Sequence, residues 1–288
     1  MKYLLGTENY KPQKEFLICV DSDGCAFDTM EIKHKECFCP SVIEVWDLQP
    51  VSRYVREAWE YVNLYSVMRG INRFLALIET FRLLEERKEV NERGFVLPNY
   101  EELIKWSHNN PNMNNKDLER YSDSPILSQA LKWSLDCNKR INHMVRGIPP
   151  FPNVKESLQK AAEFADIVVV SATAEDALLR EWEEGGLISL IHRICGQESG
   201  GKADCIKSIH GHYSPEKRVM IGDAIGDLKA SKAGKTLFYP ITPGEESRSW
   251  NRFLLEDIEN FKQLLYDKEE KKRIDEYCGC LLTEPPWI

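Results

Sequence analysis

The chain has 288 residues, 42% hydrophobic and 29% charged, so it is long enough for a sizeable core plus a second unit and too apolar to stay disordered. With 38 basic and 46 acidic residues the net charge is −8, which argues against nucleic acid or an anionic membrane as the main partner. No apolar run approaches a membrane span, and the N-terminus lacks the apolar stretch of a signal peptide, so a cytoplasmic protein is expected.

Met1 to Lys14 read as a loose lead-in. Phe16 to Val20 are five apolar residues that stop at Asp21, Asp23 and Gly24, the pattern of a buried strand ending in a turn. In an open parallel sheet, ligands bind at the carboxyl ends of strands, so this strand predicts two carboxylates at the lip of a pocket. Carboxylates two residues apart repel each other unless a cation or a shared proton settles them, and a hard divalent ion such as Mg²⁺ is the simplest cation.

From Asp28 to about Arg146 helical periodicity takes over. Val51, Val55, Trp59 and Val62 recur at helical spacing, as do Ile71, Phe74, Ile78 and Phe81. Asn109 to Asn115 predict a loop. Ser124-Pro125 predicts an N-cap opening a helix through Leu127, Leu131, Leu135 and Asn138. After the turn-rich Gly147-Ile-Pro-Pro-Phe-Pro152, short strands and helices alternate. Strands are predicted at Ile167–Val170, His192–Cys195, Arg218–Ile221 and Thr236–Phe238, with helices near 153–164, 174–184 and 202–209 and after Asp227. Such alternation is the signature of a parallel α/β sheet. The charged run Asp267 to Glu276 reads as a solvated helix face. Nine scattered cysteines read as reduced thiols. The pairs Cys37/Cys39, with His34 nearby, and Cys278/Cys280 lack the Cys-x-x-Cys spacing of a zinc site.

The strand ends carry a recognisable set: Asp21-Ser-Asp23-Gly-Cys-Ala-Phe-Asp-Thr29, then Val170-Ser171-Ala172, then Lys202, then Gly222-Asp223-Ala-Ile-Gly-Asp227. In order and in element type this set resembles the four motifs of the haloacid dehalogenase-like superfamily. The resemblance covers roughly residues 14–30 and 147–240. One departure is Cys25, where the family pattern has Thr. The resemblance implies a Rossmann-like, doubly wound parallel α/β core with an inserted all-helical cap. It implies Asp21 as nucleophile, forming an aspartyl-phosphate, and Asp23 as acid and base, with its backbone carbonyl toward the metal. Ser171 and the Ala172 N–H would bind phosphate, and Lys202 would offset negative charge. Asp223 and Asp227 would complete a Mg²⁺ shell with Asp21 and Asp23.

The long insert falls between the first and second motifs, where the phosphoglycolate phosphatase and β-phosphoglucomutase branch carries its cap. The expected organisation is a core of residues 1–28 and 147–288 with a cap of 29–146. Substrate selection would fall to the cap. His34, Lys35, Arg69, Asn72 and Arg73 are the candidates, with Arg69 and Arg73 four apart on one helical face. A small phosphorylated metabolite is the expected substrate of a phosphatase. A phosphomutase, a phosphonate hydrolase using a cap lysine such as Lys33 or Lys35, and a non-catalytic binding protein are the alternatives.

Overall fold

Five short runs form one parallel sheet in the computed structural model, which describes residues 5–110, 113–121 and 123–288. They are β1 (Phe16–Val20), β2 (Ala165–Val170), β3 (Arg193–Cys195), β4 (Arg218–Gly222) and β5 (Leu237–Pro240). β1, β2 and β4 are buried along their whole length, which is why they read as near-continuous apolar runs rather than alternating ones. The order is β3-β2-β1-β4-β5. Val20 pairs with Val169 on one side and Ile221 on the other. From β1 the chain runs outward through β2 and β3, then crosses to β4 and β5 on the opposite side. β1 and β4 therefore flank the point where the connections diverge, the place where an open α/β sheet leaves a crevice. Asp21 and Asp223 are the first residues after these two strands.

The faces alternate as a pleated strand requires. Phe16, Ile18, Val20, Val169 and Ile221 join one core, packed with Val154, Leu158, Trp182, Trp250 and Phe253. Leu17, Cys19, Val168, Val170 and Met220 join the other, packed with Cys205, Ile206, Ile209 and Leu228. The flanking helices are Val154–Ala162, Glu175–Glu184, Lys202–His210 and Ile225–Ala233. The charged run near the end lies in a helix, Asp267–Cys280, but is more than a solvated face. Arg273 and Tyr277 are buried, and Arg273 forks onto Asp257 at 3.0 and 3.2 Å.

The chain divides into two units, Met1–Thr29 with Gly147–Leu281, and Met30–Arg146 with Leu282–Ile288. Within the expected core, residues 282–288 thus group with the helical unit instead. Leu282 bonds the backbone of Tyr65 and Val67 at 2.9 and 3.0 Å, and Trp287 meets Tyr61 edge to face. The helical unit is built on Phe38, Trp59, Phe74, Trp106 and Trp133 in mutual ring contact. Ser124 accepts from the Leu127 N–H at 3.3 Å and caps the helix Pro125–Met144, with Pro125 in its first turn. The helix contains Leu127, Leu131, Leu135 and Asn138 as expected, and its buried face is a different selection of positions. Leu127, Ala130, Trp133, Ser134 and Cys137 are buried, while Leu135 is 50% exposed. Trp133 is the largest ring on the helix, and its burial turns Leu135 outward. The predicted loop 109–115 includes residues 111 and 112, and the lead-in includes residues 1–4, all outside the described residues; Asn115 already begins a short helix capped by Asn114. No helix of the described residues is long and apolar enough to cross a membrane.

Candidate active site

The loop after β1 is shaped by its own backbone. Ala26 and Phe27 N–H groups both donate to Ser22 O at 3.0 Å, and Gly24 N–H donates to Phe27 O at 2.9 Å. Gly24 sits at φ +72°, a conformation that a side chain at this position would strain. After β4 a different constraint applies. A Cβ on Gly222 would lie 2.4 Å from Asp227 Cβ, so only glycine lets the Asp227 side chain fold back over the strand end. The first and last motifs thus each need their glycine for a physical reason.

These turns bring Asp21, Asp223 and Asp227 together, all buried, with carboxylate oxygens within 4.8 Å of one another. Lys202, in the first turn of Lys202–His210, reaches in and bridges Asp21 Oδ2 and Asp227 Oδ1, each at 2.6 Å. Asp21 Oδ1 accepts from Ser22 N–H at 2.8 Å, and Asp227 Oδ2 from Ala224 N–H at 3.1 Å. Burial pushes the Asp21 carboxyl well above its usual range; Lys202 opposes that shift, and Asp227 and Asp223 add to it. Burial also works against the Lys202 ammonium, yet Asp21 and Asp227 hold it above its ordinary range. The causes differ: burial dominates at Asp21, whereas the neighbouring carboxylates outweigh burial at Lys202. Three carboxyl groups and one ammonium thus share a buried site.

The donor set fits a metal: three hard carboxylate oxygens converging in a buried site match a divalent cation such as Mg²⁺. The Asp23 carboxylate is not in this group. Its Oδ1 accepts from the Thr29 hydroxyl and its Oδ2 from the Thr173 hydroxyl at 2.7 Å. Ser171, buried just past β2, donates its N–H to Cys195 O at 3.0 Å, and its Oγ accepts from Thr173 N–H at 3.2 Å. Ala172 beside it is exposed. Cys25 aims its thiol at Ile221 O at 3.6 Å, the carbonyl that also takes the Asp21 N–H at 3.0 Å. Cys25, the departure noted in the first motif, thus offers a weak thiol donor to this carbonyl.

The candidates in the helical unit have duties in the fold. His34 stacks on Phe38 at 5.0 Å. Lys35 pairs with Glu31 and, at 3.8 Å, with Glu60. Arg69 lies in the turn before the helix Arg73–Glu86 and donates to Leu64 O at 2.9 Å, so Arg69 and Arg73 do not share a helical face. Asn72 caps that helix through the Phe74 N–H at 2.9 Å. Arg73 donates to Asn138 Oδ1 at 2.7 Å and to Ser134 Oγ at 3.1 Å, with its guanidinium 5.0 Å over Phe38. Thr29, Thr173 and Tyr277 were not singled out from the sequence. The two threonines stand inside or beside motifs already noted; Tyr277 is hidden in a charged run.

No protein-family model matches the chain, and no curated protein sequence matches it. Comparison with solved structures finds a haloacid dehalogenase (HAD) family hydrolase from Deinococcus radiodurans with bound phosphate and sodium, at 14% identity over 84% of this chain and 89% of that one, TM-score 0.46. A hydrolase from Pseudomonas syringae matches at 12% identity over 86% and 98%, TM-score 0.49. A haloacid dehalogenase-like family hydrolase from Xanthomonas campestris matches at 14% identity over 88% and 94%, TM-score 0.47. The chain is similar to these hydrolases. At such identities the likeness concerns fold alone.

Proposed function

We propose that the chain is a haloacid dehalogenase-like phosphohydrolase that uses a divalent cation to cleave a small phosphorylated metabolite. Residues 30–146 would serve as its cap, and a cytoplasmic setting would suit its nine unpaired thiols. The observation that carries this reading is the buried Asp21–Asp223–Asp227 cluster bridged by Lys202. A phosphate monoester is a dianion. At about 4 Å and an effective dielectric near 20, each pair of like unit charges costs about 4 kcal/mol, so the cluster alone would repel substrate. Mg²⁺ held by Asp21, Asp223, Asp227 and the Asp23 backbone carbonyl would supply the missing positive charge and polarise a phosphoryl oxygen.

The chain's own groups then have definite tasks. Asp21 attacks phosphorus and the ester P–O bond breaks, leaving an aspartyl-phosphate. Asp23, protonated, gives its proton to the departing oxygen; as a carboxylate it later takes one from the water that attacks the phosphoryl group. Phosphate leaves and Asp21 is restored. Lys202 and the Ser171 hydroxyl, with the Ala172 N–H, stabilise charge spread over the phosphoryl oxygens. A Schiff base on Lys35 fits less well. Burial disfavours its charge, but Glu31 and Tyr65 outweigh that and keep the amine protonated above its ordinary range.

A panel of phosphorylated metabolites and an aryl phosphate, assayed with and without Mg²⁺, tests the proposal. Turnover that requires Mg²⁺ and vanishes in Asp21→Asn is expected. No metal-dependent turnover across the panel would overturn it in favour of a binding role.

A further inference from the structure

The four motifs end at Asp227, yet two contacts to the site's backbone come from the segment after β5. Trp250, fully buried, donates its indole N–H to Cys25 O at 2.7 Å, inside the loop that follows Asp21. Tyr277, also fully buried, donates its hydroxyl to Asp223 O at 2.9 Å. Asp223 sits in a turn between two elements. It lies between the end of β4 at Gly222 and the start of the helix at Ile225, so neither a strand ladder nor a helix fixes it. Its carboxylate must nevertheless reach within 4.8 Å of oxygens from Asp21 and Asp227, so its placement follows from where the backbone of this turn is held.

We infer that Tyr277 is a positioning residue for the cation site: its hydroxyl, through the Asp223 carbonyl, holds the Asp223 carboxylate at the place where it meets Asp21 and Asp227. This rests on the proposed divalent-cation site and goes beyond it, because it assigns a site function to a helix that no motif covers. The structure supplies its own control. Tyr266, at the start of the same helix, is equally buried and donates to Phe238 O at the same 2.9 Å, but Phe238 lies within β5 rather than at the acidic cluster.

The test is direct Mn²⁺ binding to the full-length protein, followed by the electron paramagnetic resonance signal of free Mn²⁺, for wild type, Tyr277→Phe and Tyr266→Phe. Each variant deletes one hydroxyl and keeps the ring, so each loses one net hydrogen bond of similar worth and thermal melts in chelator should fall alike. Tyr277→Phe is expected to bind Mn²⁺ about fivefold or more weakly, and Tyr266→Phe as wild type does. Equal weakening in both variants, or affinity within about twofold of wild type in Tyr277→Phe, would overturn the positioning role and leave the cation reading standing. Wild-type protein that binds no Mn²⁺ would overturn both.

Discussion

The Thr173 hydroxyl donates to Asp23 Oδ2 at 2.7 Å, while Thr29 takes Oδ1 from the other side. Asp23 is thereby held through both carboxylate oxygens in one orientation. A group that must deliver and then recover a proton gains from such fixing, because misplacement by even 1 Å can cost about a hundredfold in rate. Thr173→Val removes the hydroxyl and keeps the side chain's shape. Hydrogen bonds to charged groups are worth about 1.5–3 kcal/mol, so kcat should fall by roughly ten- to a hundredfold with KM nearly constant. Thr173→Ser should recover most of the loss. Steady-state kinetics on any accepted substrate decides, and an unchanged kcat in the valine variant would refute the assignment.

Asp223→Asn should separate stability from function. The cluster crowds three carboxyl groups into one buried site, so replacing one with a neutral amide is expected to relieve repulsion when no cation is bound. In chelator the variant should melt higher than wild type. A gain of about 1 kcal/mol corresponds to roughly 2–4 °C for a chain of this size. Turnover should be lost at the same time. A lower melting temperature in chelator would mean that Asp223 is held by neighbours whose loss outweighs the relief of charge.

Mg²⁺ should act in the opposite sense on the wild type. A ligand that binds only the folded state stabilises it by about 2.7 kcal/mol at a hundred times its dissociation constant. Melting temperature should rise with Mg²⁺ and fall back with EDTA, and Asp223→Asn should show much less of this response. Equal shifts in the two proteins would place the ion somewhere other than the cluster.

Much of the sheet was legible because strands buried on both faces have only one way to be written. Phe16–Val20 and Arg218–Gly222 are near-continuous apolar runs, each followed directly by an Asp, and no helical stripe competes with them. The carboxylate–lysine grouping was legible for a similar reason, since its members stand at the ends of regular elements in a fixed order. Asp23 shows the limit. Its position could be read, but its partners depend on the hydroxyl directions of Thr29 and Thr173. Tyr277 was not legible at all, because one buried face on a charged helix leaves almost no mark on composition. Nor was the duty of Arg73, a candidate for substrate selection by sequence, which bonds Asn138 and Ser134 beside Phe38.

Thiol accessibility gives an inexpensive check on the core. Cys19, Cys25, Cys37, Cys39, Cys137, Cys195 and Cys205 are buried, and only Cys278 and Cys280 are exposed. A thiolate must reach the reagent to react. Native protein treated with a chromogenic disulfide should therefore release colour for two thiols quickly, and for the other seven only on unfolding. Fast reaction of three or more in the native state would contradict the burial of at least one of these seven thiols.

The helix Pro125–Met144 offers the sharpest contrast between pattern and packing. By spacing alone Leu135 belongs to an apolar stripe with Leu127 and Leu131, yet it is 50% exposed, whereas Trp133 is fully buried. Trp133 meets Trp59 and Phe74 edge-on with ring centroids 5.9 Å apart in each case. Leu135→Lys should therefore change stability by no more than about 0.5 kcal/mol, the range of ordinary surface substitutions. Trp133→Ala should cost about 3–5 kcal/mol, since it removes a large ring from a site its neighbours cannot collapse to fill. Ser124→Ala should fall between, at about 1 kcal/mol, through loss of the cap on the Leu127 N–H. Urea denaturation of the three variants ranks them. If Leu135→Lys proved as damaging as Trp133→Ala, the helix would be rotated about its axis from the orientation described, and the core of the helical unit would have to be redrawn.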